Sequence, residues 1–249
     1  MVFHTVAFHK AAVSATLLPL QPIQDDCVTV AGNDLTVPEL NKIVAALVFG
    51  GAPVLAQLQS PSLRRYIQED ILRMIATEIT ENAEDYIVDL RSQPLTLDIA
   101  EKLNALTQHT TDGWILLWLA DSIITPVKGD IHTIRATLAV TTVFDVWQNC
   151  VLTLTQTLPA GRYQVVGMRA YGTATMLAAR LLFTGQAWRP AVPAKANYSS
   201  EEIEMFRKGN FGVFGEFEFD QPPQVEVLST AATVAPVIAL DLIQIRAGR

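Results

Sequence analysis

The clearest candidates for chemistry in this chain are two carboxylates set one residue apart on a strand. Glu216 and Glu218 project from one face of a strand read over 211–219, with Asp220 at its end, while Phe217 and Phe219 face the other way. Such a pair could act as acid and nucleophile of a retaining glycosidase, or offer oxygen ligands to Ca²⁺. Alternating Glu and Phe is also the ordinary pattern of a half-buried antiparallel strand, and that reading takes precedence. Gly209, Gly212 and Gly215 have G-x-x-G-x-x-G spacing with no helix pattern behind them. A turn into an edge strand explains them better than a phosphate-binding loop, which needs strand, loop and helix in order.

The four histidines, His4, His9, His109 and His132, are scattered without the short spacing of a zinc site. Cys27 and Cys150 each sit in an apolar, strand-like run, where a buried free thiol is expected rather than a disulfide or a reactive nucleophile. No G-x-S-x-G elbow is present, and the sequon Asn197-Tyr-Ser199 is read as a polar loop. The residues therefore nominate no catalytic, cofactor-binding or metal-binding set. Trp188, Tyr198, Phe206, Phe211 and Phe214 cluster around a long loop instead, where they would either anchor a neighbouring subunit or cap their own fold. The subunit interface is favoured for these five.

The elements that must position these groups read mostly as strands. Strands are expected over 2–7, 12–18, 27–30, 86–90, 101–107 and 114–120, the last two as a hairpin. Val151 to Leu158 alternates cleanly, followed by strands over 163–171 and 176–183, with Arg180 marking a solvated face. Residues 188–200 read as a surface loop and 201–208 as a short helical turn, before strands at 211–219, 225–228 and 239–245. Two helices interrupt the pattern. Thr36-Val-Pro-Glu39 resembles a capping box ahead of the stripe Leu40, Ile43, Val44, Leu47 and Val48. Leu63, Ile67, Ile71, Ile75 and Ile79 recur every fourth residue over 60–83, which favours a helix, with two strands broken near Gln68-Glu-Asp70 as the competing reading of a run rich in β-branched residues.

From residue 86 onward the turn signals come every 8 to 12 residues, roughly the spacing of a sandwich. The expected fold is mainly β: an antiparallel β-sandwich of jelly-roll type with one or two N-terminal helices as decoration. It is read as a single domain over 1–249, with an arm and helical segment to about residue 85 and the main sandwich over 86–249. Half of the residues are hydrophobic and only 17% are charged, with a mean hydropathy of +0.27. That surplus over what a core requires points to contacts between subunits. A net charge of −7 opposes a broad phosphate-neutralising face. No apolar run reaches the roughly 20 residues of a membrane helix, and no signal peptide is read at the N-terminus.

The runs Leu152-Thr-Leu-Thr-Gln-Thr-Leu-Pro-Ala-Gly-Arg-Tyr-Gln-Val-Val166, Ala178 to Pro190, Gly212 to Phe217 and Leu240 to Arg246 resemble segments of jelly-roll virion structural proteins of bacterial and archaeal viruses. That resemblance covers at most the last half of the chain. It implies a non-enzymatic capsid-type protein that self-assembles as a homotrimer or larger homo-oligomer. It also implies other virion proteins as partners, no sequence-specific nucleic acid, and a place in the virion after synthesis in the host cytoplasm. The alternative is a receptor- or glycan-binding β-sandwich using Trp188 and Tyr198, and the third reading is a carbohydrate-active enzyme using Glu216 and Glu218.

Overall fold

The computed structural model describes residues 1–10, 14–50, 55–64, 74–75, 87–109, 113–139, 145–172, 175–195, 203–229 and 236–248. The chain divides into two compact units, 3–123 and 124–249. Both are built of β-strands, and no helix of the described residues is long and apolar enough to cross a membrane.

The first unit holds β1 (Phe3–Lys10), β2 (Ser14–Pro19), β3 (Gln21–Pro22), β4 (Thr29–Ala31), β5 (Asp34–Thr36), β6 (Lys42–Gly50), β7 (Leu55–Gln59), β8 (Met74–Ile75), β9 (Val88–Asp89), β10 (Leu95–Thr96), β11 (Lys102–His109) and β12 (Gly113–Ala120). One sheet centres on β6, β12 and β1, with β3 beyond β1 and the short β8, β9 and β10 along the far edge of β6. In the second sheet, β2, β5 and β7 all pair with β11, and β4 pairs with β5. The segment between β2 and the turn after β3 steps from one sheet to the other. Leu20 donates its N–H to Ala105 of β11 at 2.8 Å, and Ile23 donates to Ala7 of β1 at 2.8 Å.

The first helix expectation is corrected here, and most of the second falls outside the described residues. Residues 42–50 form a strand paired with β12 from Lys42 to Gly50. Ile43 to Val48 are all buried, and a short run apolar on every side looks the same to sequence periodicity whether it is a buried helix or a buried strand. Its β-branched Ile43, Val44 and Val48 then favour the strand once both edges find partners. Of the second helix only one turn, Pro61–Arg64, is seen; Met74–Ile75 is a strand, and residues 65–73 and 76–83 lie outside the described residues. The hairpin expectation also fails, because β11 and β12 belong to different sheets. Every residue of β12 is buried, which suits the middle of a sheet covered on both faces. The strand β11 buries Leu103, Ala105 and Thr107 while the residues between them stay partly exposed.

The second unit holds β13 (His132–Ala139), β14 (Gln148–Leu154), β15 (Gly161–Tyr171), β16 (Met176–Leu182), β17 (Ala191–Lys195), β18 (Gly215–Glu218), β19 (Gln224–Ser229) and β20 (Val237–Ala247). Seven of these close a barrel in the order β17, β16, β19, β14, β13, β20, β15 and back to β17, with β18 added beside β15. The closing pair is parallel, Ala170 with Ala194 and Tyr171 with Lys195. The strand β17 lies where the sequence reads only a loop, so the element that closes the ring was missed.

Alternation along β13 separates the two sides of the wall: Ile134, Ala136 and Leu138 are buried, whereas Thr133, Arg135 and Thr137 are exposed. Through the register, Met168, Leu240, Cys150, Val225 and Leu181 share the buried side. The lumen is therefore a packed apolar core. Arg180 is corrected as well: expected on a solvated face, it is fully buried on the outer side of the wall.

Candidate functional site

Two clusters of buried charge lie in the wall of the second unit. Arg180 Nε donates to Glu226 Oε2 across the β16–β19 pair, Arg189 reaches the same carboxylate at 3.2 Å, and the Arg180 guanidinium lies 4.2 Å from the centre of the Trp147 ring. On the other side of the barrel Asp241 is fully buried. Its Oδ1 accepts from Thr133 Oγ1 at 2.6 Å and Arg169 at 2.7 Å, and its Oδ2 accepts from the backbone N–H of Lys208 at 2.9 Å. A glycine makes that last contact possible, because a Cβ on residue 167 would lie 2.5 Å from Asp241 Oδ2 and 2.8 Å from the Lys208 nitrogen.

Glu216 and Glu218 do share one face of β18, but each is held by arginine. Glu216 pairs with Arg162 at 2.7 Å and accepts from Gln164 at 2.8 Å, and Glu218 pairs with Arg246 at 3.0 Å. Phe217 is buried against Tyr163, with ring centres 5.7 Å apart. The glycine-rich stretch is a turn entering this added strand. Gly209 has φ +80°, and a Cβ there would sit 2.0 Å from the carbonyl oxygen of Val127.

Of the five aromatic residues assigned to a subunit interface, Phe206, Phe211 and Phe214 are buried inside the chain's own fold. Phe206 and Phe211 touch with ring centres 4.9 Å apart. They seal the 203–214 segment onto β15, where Gly209 N–H donates to Val166 at 2.6 Å and Phe214 N–H to Val165 at 2.8 Å. Trp188 is half-buried, and Tyr198, like the sequon around it, lies outside the described residues.

Both cysteines are free thiols. Burial in the barrel wall pushes the Cys150 thiol up to about 11, against the partly compensating backbone contact with Val227 and with a further push from the Glu226 carboxylate. A thiol raised in the fold favours the native state below the ordinary thiol range and loses that contribution as pH rises toward 11. Alkylation of the native chain at about pH 8 should therefore leave Cys150 unmodified. Peptide mapping should find it labelled only after denaturation; full native labelling would show that the wall opens.

Cys27 is only half-buried and sits in a turn ahead of β4 rather than in a strand. That turn creates a constellation the sequence reading missed. After β3 pairs with the end of β1, the chain runs back beside β1, and Asp25 arrives next to His4. His4 Nε2 and Asp25 Oδ2 are 3.1 Å apart, with both side chains almost wholly buried. The N–H of Cys27 donates to Asp25 Oδ1 at 2.8 Å, an Asx turn. Gln24 Nε2 braces the loop by donating to the carbonyls of Asp25 at 2.8 Å and Val28 at 3.3 Å. The nitrogen, oxygen and sulfur ligand atoms of His4, Asp25 and Cys27 all lie within 4.8 Å of one another. The only local signal was Asp25 and Cys27 two residues apart in a turn, since His4 lies 21 residues from Asp25.

His132, at the start of β13, stands 3.6 Å from Asp130 with both side chains exposed, and His109 ends β11. Comparison with known proteins finds no matching family model, no matching curated protein and no matching solved structure.

Proposed function

We propose that this chain is a non-enzymatic structural protein that self-assembles as a homotrimer or larger homo-oligomer, in the manner of a jelly-roll capsid or other virion shell component. One observation carries the reading. The barrel's lumen is filled by its own apolar side chains, and its buried charges pair with one another on the outer wall. A barrel packed in this way is a building block rather than a container for a ligand.

The apolar surplus of the composition supports assembly, and the outer wall offers a place for it. Val151 is 73% exposed on the outer side of β14, where it pairs in register with Ala139. The strand β18 pairs only with β15 among the described strands, which leaves its second edge open to addition.

Light scattering across a concentration series, with electron microscopy of the same fractions, should find trimers, rings or shells. Val151→Glu should shift assembly to higher concentration if that wall is part of the contact. A strict monomer at high concentration would overturn the reading and make ligand screening the next experiment.

A further inference from the structure

We infer that His4, Asp25 and Cys27 form a binding site for a single Zn²⁺ ion, which pins the turn between β3 and β4 onto β1. This inference stands independently of self-assembly, because it rests on the first unit's side chains alone.

The donor set selects the metal. An imidazole nitrogen, a carboxylate oxygen and a thiolate sulfur together suit zinc, whereas Ca²⁺ and Mg²⁺ require oxygen ligands throughout. With neutral His4, ionised Asp25 and ionised Cys27, the site carries two negative charges, which one divalent cation neutralises. Binding transfers the Cys27 thiol proton to solvent and forms the zinc–sulfur bond in its place.

Geometry needs little change. Tetrahedral zinc at ordinary bond lengths places its ligand atoms roughly 3.3–3.7 Å apart. His4 and Asp25 already stand 3.1 Å apart, and the whole triad fits within 4.8 Å. Closing the remaining gap asks for movement of roughly an ångström, which the half-buried Cys27 side chain can supply.

The carboxylate is also oriented as a ligand should be. Its Oδ1 is fixed by the Cys27 N–H while Oδ2 faces His4, the arrangement in which a second hydrogen bond aims a ligating oxygen. His4 is supplied by a strand paired along its whole length with β12, so one ligand is rigid and the other two close from a turn. A fourth position is left to water on the partly exposed Cys27 side.

The test is Co²⁺ and Zn²⁺ titration of the untagged, chelator-treated full chain, read by absorbance and by thermal unfolding. One equivalent of Co²⁺ should give tetrahedral bands with a sulfur-to-cobalt charge-transfer band, displaced by Zn²⁺. Zn²⁺ at a hundredfold excess over its Kd should raise the unfolding temperature by roughly 5–10 °C. Cys27→Ser should abolish the charge-transfer band and weaken zinc binding by roughly tenfold or more, and Asp25→Asn should weaken it similarly. If Asp25→Asn does not fold, Cys27→Ser carries the test, since its side chain is only half-buried. No stoichiometric binding, or binding that Cys27→Ser leaves unchanged, would overturn the inference.

Discussion

Glu226→Ala should destabilise the second unit by about 3–5 kcal/mol, the usual cost of removing one partner from a buried ion pair. Its carboxylate lies between Arg180 and Arg189. Arg180 is fully buried in the barrel wall, so its charge cannot turn to water when the carboxylate goes. Guanidinium denaturation followed by tryptophan fluorescence measures the loss, with Trp147 reporting directly because it lies over the Arg180 guanidinium. Replacing Arg180 and Glu226 together by methionine should recover most of it, since well-packed apolar residues often substitute for a buried pair at little cost. A loss below about 1 kcal/mol in the single variant would match a surface pair instead and refute the assignment.

The second large effect is expected at Asp241. Asp241→Ala removes the carboxylate on which Arg169, Thr133 and the Lys208 amide converge, again for about 3–5 kcal/mol. It also releases a strained turn. Lys208 has φ +45° and is followed by Gly209 at +80°, so a side-chain-bearing residue is held in the left-handed region with its N–H fixed by Asp241. Limited trypsin digestion should therefore cut after Arg207 or Lys208 faster in Asp241→Ala than in the parent. Asp241→Asn, which keeps the shape and loses the charge, should cost less. Equal proteolysis and equal stability in parent and Asp241→Ala would show that the 203–214 segment is held by its aromatic contacts alone.

Both effects depend on where charge sits in a barrel wall. The charged residues of these two clusters point outward by strand alternation, and they are buried because other segments cover them. Arg180 lies beneath Trp147 and beside Arg189, and Asp241 lies beneath the turn at Lys208. The lumen stays apolar, so the cost of burying charge is met locally by paired partners.

The sequence by itself determined the mainly β class and the strands over 163–171 and 176–183, because the run of apolar and β-forming residues there is local and survives any choice of partner. It also determined that Gly209 belongs to a turn, a consequence of its conformational freedom. Tertiary structure decided the rest. Ile43 to Val48 became a strand because β12 on one edge and three short strands on the other were available to pair. Arg180 is tolerated buried on the outer side of the wall because Glu226 lies opposite it in the register, 46 residues away. The ring closed through Ala191–Lys195, which with Pro190 just before it and Pro193 within it reads as loop until β16 and β15 lie on either side. His4, Asp25 and Cys27 met because β3 folds back along β1. In each case the deciding partner is far along the chain, and local periodicity carries no information about which distant backbone or charge will be opposite.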